Sequence, residues 1–454
     1  MRFLPRIPLY SAAVAMATAG TVLLATTPAH AEFELEPAPA DERVPCEQVN
    51  GGGDPLNTRP WSKNFIGLDD AQQYNRGTFE RGEKAGEPVT IAVIDSGVSS
   101  TRDDVFGDRL LSGYDWWDVN AKGKCDSNSH GTAVASIAAG GVVGNNDFVG
   151  VAPEANILPI RAFTGAADEG GDEQKSRITA GAIIDAVNNG ADVINLSLVV
   201  VPTDELEAAV NTALDAGVVV VGATGNEAKN MDDDSIEYDQ QTFYPANYPG
   251  VIAVAAHNQS GNWYASSNFG NRVDLLAPGQ GLAFPYAGGE WKDGEGTSYA
   301  APFVTGAAAL LKGEFGSEAT PAWIQKRLQE TAIHPPDAFN IYQGHGVLNV
   351  AAALTAPVDE SEVTAADVEE VPTEDPSTAP LDEGDLESVG ALDVDYDPLG
   401  LEKSIAWASV GGAIVLVAVV LVLRTIIPKG RKRKWRAGTR EPERPQVKAD
   451  STGA

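Results

Sequence analysis

Short apolar runs alternate with helical stretches along the middle of this 454-residue chain. Amphipathic patterns at residues 178–187 and 204–216 separate the runs from one another. Strands that alternate with helices form βαβ units, so a parallel sheet with helices on both faces and right-handed crossovers is predicted. Five runs have the length and residue types of buried strands: 89–94, 156–162, 191–198, 218–222 and 251–255.

Three short motifs stand at the ends of these elements. Asp-Ser-Gly at 95–97 follows the first strand, His-Gly-Thr at 130–132 opens a small-residue helix, and Gly-Thr-Ser at 296–298 opens another helix. The last helix contains Pro302 near its start, where a missing N–H is tolerated. Functional residues commonly lie at the carboxyl ends of parallel strands, and helix N-termini favour negative charge.

Asp95, His130 and Ser298 supply an acid, a base and a hydroxyl nucleophile. In such a set the serine attacks a carbonyl carbon, the histidine takes its proton, and the aspartate fixes the imidazole tautomer. Asn226 follows the run at 218–222 and is a candidate donor to the resulting oxyanion. Each motif alone has a plain structural explanation as a turn, a cap or a packing residue. Together, beside strands and helix starts, they predict one hydrolytic site.

The segment 89–350 resembles the subtilisin-like serine peptidases, the subtilases. Asp95, His130 and Ser298 match the family's triad in its order along the chain, and Asn226 matches its oxyanion-hole asparagine. The resemblance implies a subtilisin-like three-layer α/β fold with a mostly parallel central sheet. It also implies a serine endopeptidase that cleaves proteins or peptides through an acyl-enzyme. Four further residues are expected to bind substrate: Ser197, Leu198, Ala223 and Gly225.

Two positions depart from the subtilase pattern. Ser96 replaces the usual threonine of Asp-Thr-Gly and keeps a hydroxyl, while Val199 and Val200 stand where many subtilases have glycine. A β-branched residue there is predicted to narrow the S1 entrance, so broad specificity is not expected. No cofactor and no metal ion are expected. The carboxylates of loops 165–175 and 230–239 are scattered along the sequence, which favours solvated loops over a calcium site.

Both ends of the chain carry apolar segments. Residues 1–31 combine two arginines, an apolar stretch and an Ala-His-Ala cleavage site, which predicts a secretory signal peptide; an uncleaved anchor helix is the alternative. Residues 405–423 carry no charge, and as a helix they would be about 28 Å long, close to the roughly 30 Å hydrocarbon core. They predict one transmembrane helix, the alternative being a buried core helix. Ten Lys/Arg against three Asp/Glu in 424–454 predict a cytoplasmic tail, or at least a stop-transfer signal.

The chain is strongly acidic. Its formal net charge of -32 argues against a nucleic-acid partner, because a polyanion would be repelled. Residues 357–400 hold fifteen Asp/Glu and no Lys/Arg. Such a segment cannot bury enough apolar surface to fold, so an acidic disordered linker is predicted over 357–402. A specific acidic docking tail is the alternative.

Cys46 and Cys125 are the two cysteines of the sequence. In an exported protein such a pair favours one disulfide, which would close a loop of about 80 residues and contribute up to ~4.5 kcal/mol on the chain-entropy model. It would tie the extension 32–88 to the part of the domain that carries His130, whereas a disordered lead-in is the alternative. Neither cysteine lies at zinc-ligand spacing from another ligand.

The layout as a whole resembles the mycosins, the membrane-bound proteases of actinobacterial type VII secretion systems. The resemblance implies a protease outside the plasma membrane, anchored by one span, that associates with the secretion membrane complex, cleaves exported proteins and carries an extension wrapped around its catalytic domain. A scaffold with dispensable proteolysis and a general cell-envelope subtilase are the alternatives. The predicted regions are a signal peptide 1–31, an N-terminal extension 32–88, a catalytic domain 89–356, an acidic linker 357–402, a transmembrane helix 403–424 and a basic cytoplasmic tail 425–454.

Overall fold

The computed structural model describes residues 45–49, 60–143, 148–164, 173–289 and 291–357. All of them lie in the first of the two units into which the chain divides, Met1–Leu392. The predicted signal peptide, the linker beyond Pro357, the predicted span and the basic tail lie outside the described residues. Within the described ranges no helix combines the length and the apolar character needed to cross a bilayer.

A seven-stranded parallel sheet forms the centre of the described region, which confirms the predicted α/β class. The strands are β1 Thr90–Asp95, β2 Tyr114–Asp115, β3 Asn156–Arg161, β4 Val193–Leu196, β5 Val219–Ala223, β6 Ile252–His257 and β7 Leu275–Pro278. The strand order is β2-β3-β1-β4-β5-β6-β7, and β1 pairs with β3 in the register Thr90 to Asn156. The strands are buried along nearly their whole length, which explains why most of them appear in the sequence as continuous apolar runs.

Helices cover the sheet in two packed pairs: α4, His130–Ala139, with α7, Thr297–Phe315, and α5, Glu173–Asn188, with α6, Asp204–Asp215. Helix α7 is buried along most of its length and contacts β4, β5, β6 and β7. Gly306 allows α7 to approach α4, because a Cβ there would lie 2.9 Å from the carbonyl oxygen of Ala138. The helices of the described region are α1 Trp61–Phe65, α2 Leu68–Ala71, α3 Asp103–Phe106, α4 His130–Ala139, α5 Glu173–Asn188, α6 Asp204–Asp215, α7 Thr297–Phe315, α8 Pro321–Glu330 and α9 Val350–Thr355.

Helix α6 shows how local sequence defines these elements. Thr203 caps it, since its side-chain oxygen accepts the Leu206 N–H at 3.2 Å, and three acidic residues occupy the first turn. The buried positions recur at helical spacing, which orients one face toward the sheet. The predicted helix 204–216 is therefore found within one residue of its expected end.

Several elements were not predicted. An antiparallel hairpin pairs β8 Leu282–Pro285 with β9 Trp291–Gly294. The middle residues of β9 are exposed and polar, so no apolar run marks this strand. Helices α1, α3 and α9 are too short for periodicity to reveal them. The sequence of the extension also predicts a short helix near 68–74, which is present only as α2, Leu68–Ala71.

The N-terminal extension is built into the fold where the structure describes it. Ile66 and Leu68 belong to the hydrophobic core, and Ile66 accepts the Val350 N–H at 3.0 Å through its carbonyl oxygen. The Trp61 indole N–H donates to the carbonyl of Gly281 at 3.0 Å. These contacts agree with an anchored extension rather than a disordered lead-in.

The disulfide expected from the sequence is present between Cys46 and Cys125. It joins residues 45–49 of the extension to the loop before α4, which begins at His130. The extension therefore reaches the segment that carries the candidate base.

Candidate active site

Asp95 and His130 are in direct contact. Asp95 is the last residue of β1 and has no exposed surface, and His130 is the first residue of α4. The His130 Nδ1 lies 2.8 Å from Oδ1 and 2.9 Å from Oδ2 of the carboxylate. An ionised carboxylate can only accept, so Nδ1 carries the proton, and in the neutral imidazole Nε2 has the free lone pair that a general base needs.

Ser298 lies half-buried in the first turn of α7. Pro302 has no N–H, so the Ser298 carbonyl lacks its usual helical donor four residues on. The Ser197 hydroxyl donates to that carbonyl at 2.7 Å instead. Ser197 in turn accepts from the Asn195 side-chain amide at 2.9 Å, and the Thr305 hydroxyl donates to the Asn195 oxygen at 2.8 Å. This buried chain of hydrogen bonds attaches the backbone of the candidate nucleophile to the end of β4.

Asn226 is oriented by the residue before the candidate nucleophile. Its Oδ1 accepts the Thr297 N–H at 2.8 Å and the Thr297 hydroxyl at 3.1 Å. Because the oxygen is occupied in this way, the amide nitrogen is the part left to donate elsewhere. Gly296 makes the approach possible: its φ is +129°, and a Cβ there would lie 3.1 Å from the Asn226 oxygen.

Aromatic contacts bring the start of α7 against the Asp95–His130 pair. The Tyr299 ring, next in sequence to Ser298, lies 5.3 Å from the His130 imidazole. Phe284 on β8 stacks on Tyr299 at 4.6 Å. Tyr299 was not singled out from the sequence, and its position beside the candidate nucleophile was the one available signal.

The four residues expected to bind substrate follow two neighbouring strands. Ser197 and Leu198 follow β4, while Ala223 ends β5 and Gly225 lies two residues beyond it. The Ser197 hydroxyl donates its hydrogen bond to the Ser298 carbonyl. Val199, one residue beyond Leu198, is buried, and its Cγ1 would lie 3.3 Å from a Cβ at Gly225. Val199 therefore packs between the segment that follows β4 and the segment that follows β5. Its narrowing of the S1 entrance stays a prediction.

No group of three or more His, Cys, Asp or Glu side chains that could hold a metal ion occurs within the described ranges. The acidic loop around Asp232 is instead organised by backbone hydrogen bonds. The Asp232 carboxylate accepts the Asn271 N–H at 2.7 Å, and the Asp233 carboxylate accepts the Ser235 N–H at 2.9 Å. Loop 165–172 lies outside the described residues.

An Asp–His pair at the carboxyl edge of a parallel sheet, against a helix that carries a serine in its first turn, is the arrangement found in the subtilisin class of serine peptidases. The family model of the subtilases matches residues 86–356, and the chain belongs to this family.

Known proteins of this class resemble the chain over different lengths. A thermophilic serine proteinase of Bacillus sp. (strain AK1) is 42% identical over 229 residues, which cover 50% of this chain and 53% of that protein. Mycosin-1 of Mycobacterium tuberculosis is 33% identical over 404 residues, or 77% of this chain and 86% of mycosin-1. The crystal structure of MycP1 from the ESX-1 type VII secretion system has a TM-score of 0.58 at 30% identity and covers 70% of this chain and 91% of MycP1.

Proposed function

We propose that this chain is a serine endopeptidase that cleaves proteins or peptides through an acyl-enzyme. His130 removes the proton of the Ser298 hydroxyl as it attacks the carbonyl carbon, and later gives that proton to the leaving amine. Asp95 holds the imidazole and stabilises its protonated form. The observation that carries the proposal is the contact of the His130 Nδ1 with both oxygens of the buried Asp95 carboxylate, at 2.8 and 2.9 Å.

The negative oxygen of the tetrahedral intermediate is stabilised by the Asn226 amide nitrogen and the Ser298 N–H. The Asn226 oxygen is held by two donors of Thr297, which supports an outward-facing amide nitrogen. The Ser298 N–H belongs to the first turn of α7, where backbone donors have no partner within the helix. Donors fixed before the reaction need no reorganisation when the charge develops.

A fluorophosphonate probe tests the assignment of the nucleophile. The wild-type chain is expected to form a covalent adduct, and Ser298→Ala to form none. Ser260→Ala is the matched control, because Ser260 is an exposed serine in a turn after β6. Equal labelling of Ser298→Ala and the wild type would refute the assignment.

We also propose that the enzyme is exported, held in the plasma membrane by residues 403–424, and active on the outer side. Its 33% identity with mycosin-1 and its likeness to MycP1 from a type VII secretion system support an association with such a system. Exported proteins are the proposed substrates. External protease added to intact cells is expected to remove the catalytic domain and to spare a tag at the cytoplasmic C-terminus. Loss of the tag under the same conditions would contradict this topology.

A secretion assay separates processing from a structural role. If proteolysis is the function, Ser298→Ala and deletion of the gene both change the processing of exported proteins. If only deletion stops export, the chain acts as a scaffold of the secretion complex. Purification in mild detergent without any other secretion membrane protein would favour a general cell-envelope subtilase.

A further inference from the structure

A second buried carboxylate lies close to the Asp95–His130 pair. Asp126 has no exposed surface and stands in the loop before α4. Its Oδ1 accepts the Ser96 hydroxyl at 2.9 Å and the backbone N–H groups of Asn128 and Ser129 at 3.0 and 2.7 Å. Its Oδ2 accepts the N–H and the hydroxyl of Thr132 at 2.8 and 2.6 Å. Five neutral donors therefore converge on one carboxylate.

These donors come from both sides of the pair. Ser96 directly follows Asp95, and its N–H donates to the Asp95 carboxylate at 2.7 Å. The same serine accepts the Gly131 N–H at 3.0 Å through its hydroxyl oxygen, and Gly131 directly follows His130. Asp126, through Ser96, thus connects the turn that carries the acid to the helix start that carries the base.

The backbone before His130 needs such support. Ser129 has a φ of +76°, in the left-handed region that residues other than glycine disfavour. Conformations of this kind persist only where surrounding contacts impose them. The 2.7 Å hydrogen bond from the Ser129 N–H to Asp126 is one such contact. This hydrogen bond fixes the backbone turn that orients the His130 imidazole.

The extension holds Asp126 from its other side. The Asp126 N–H donates to the Gln48 side-chain oxygen at 3.3 Å, and the Asp126 carbonyl accepts the Val49 N–H at 3.2 Å. The preceding residue, Cys125, forms the disulfide with Cys46. The loop that contains Asp126 is therefore fixed between the turn after β1 and the extension.

We propose that Asp126 is a positioning residue that sets the geometry of the Asp95–His130 pair without touching substrate. The proposal rests on the peptidase function proposed above. An asparagine in its place has the same shape, but its amide nitrogen would confront N–H and O–H donors that need an acceptor. The helix start would then shift, and a misplacement of about 1 Å costs on the order of 100-fold in rate.

The test uses the full chain and a fluorophosphonate probe, with the maximal rate of inactivation (kinact) and the probe's KI measured against pH. For Asp126→Asn we expect kinact to fall by about 10- to 100-fold with KI unchanged. The acid limb of the profile is expected to move to lower pH, because the imidazolium loses both a nearby negative charge and part of its contact with Asp95. A purely structural role would lower the melting temperature and leave kinact of the folded protein unchanged, which would overturn the proposal.

Asp274→Asn is the matched control. Asp274 is a buried carboxylate directly before β7, at the amino ends of the parallel strands and so on the side of the sheet away from the site, and it accepts the Ala253 N–H at 2.7 Å. This variant is expected to lose stability and to keep the wild-type kinact and pH profile. An equal loss of kinact in Asp274→Asn would show that any buried carboxylate matters alike, which would overturn a specific role for Asp126.

Ser96 provides a second route if Asp126→Asn does not fold. Ser96→Ala keeps the Asp126 carboxylate but removes its link to Gly131, and a several-fold lower kinact is expected; Ser96→Thr restores the hydroxyl and is expected to recover most of the rate. Ser96→Ala with the wild-type rate would overturn the proposal. A wild-type chain that never reacts with the probe would refute the peptidase function itself, and the positioning role with it.

Discussion

Lowering the pH is expected to destabilise the folded chain through one buried histidine. His257 ends β6, and its imidazole lies 5.6 Å from the Trp61 ring and 4.7 Å from the Phe65 ring of α1. Its Nδ1–H donates to the Asn258 carbonyl at 2.7 Å, whereas Nε2 has no hydrogen-bond partner among the described residues. Burial lowers the pKa of His257 from 6.5 to about 4, because no group near Nε2 stabilises a second proton.

The sign and the size of the effect follow from linkage. The unfolded chain binds a proton near pH 6.5 and the folded chain only near pH 4, so stability present above pH 6.5 is lost as the pH falls toward 4. At 1.36 kcal/mol per pKa unit, the loss by pH 5 is about 2 kcal/mol, and by pH 4 it approaches ~3 kcal/mol. For a domain of roughly 270 residues, with about 2.1 cal/mol/K of unfolding entropy per residue, 2 kcal/mol corresponds to a melting temperature lower by about 3–4 °C.

The assay is the melting temperature of the wild type and of His257→Asn between pH 8 and pH 5. The asparagine amide is expected to retain a donor toward the Asn258 carbonyl but does not titrate in this range. The difference between the two curves removes the contribution of other groups, such as Asp185, whose pKa burial raises to about 6. Parallel curves from pH 8 to pH 5 would refute the reasoning.

Three further predictions concern the site and its supports. Ser197→Ala should cost about 1–3 kcal/mol for each buried group left without a hydrogen-bond partner, and it should also lower the rate of peptide hydrolysis. Ser176→Ala on α5 removes the donor to the Val201 carbonyl and should lower only the melting temperature. Asn226→Ala should slow hydrolysis about 100- to 1,000-fold with little change in KM or stability, and a wild-type rate would contradict its role. Replacing Cys46 and Cys125 by serine should cost about 2–5 kcal/mol in denaturant unfolding, and unchanged stability would contradict a structural bridge.

Five of the seven strands could be predicted because they are buried on both faces and therefore appear as continuous apolar runs; β7, Leu275–Pro278, is equally buried but was not predicted. Val219–Ala223 and Ile252–His257 have no exposed residue, and both lie within two residues of the predicted ends. The two-residue strand Tyr114–Asp115 and the exposed strand Trp291–Gly294 lack such a run. Their pairing is decided by neighbours distant in sequence, which periodicity does not report.

The candidate site was likewise predictable only where local sequence determines the position of a residue. The candidate acid and base were predictable because each occupies a fixed place beside a strand end or a helix start. The network around Asp126 depends on Ser96 and Thr132 approaching from two elements, which spacing alone does not reveal. One sequence feature indicates that a residue such as Ser197 is needed. Pro302 stands four residues after Ser298 and has no N–H, so the Ser298 carbonyl must accept a hydrogen bond from another donor, which is the Ser197 hydroxyl.

The central claim is that Asp95, His130 and Ser298 act as one catalytic unit. It is tested most directly by the rate at which the full chain hydrolyses a peptide library when Ser298→Ala and His130→Ala are made singly and together. Residues that act as a unit are strongly non-additive, so the double variant is expected to be no slower than either single variant. A double variant that loses the product of the two single losses would contradict the claim.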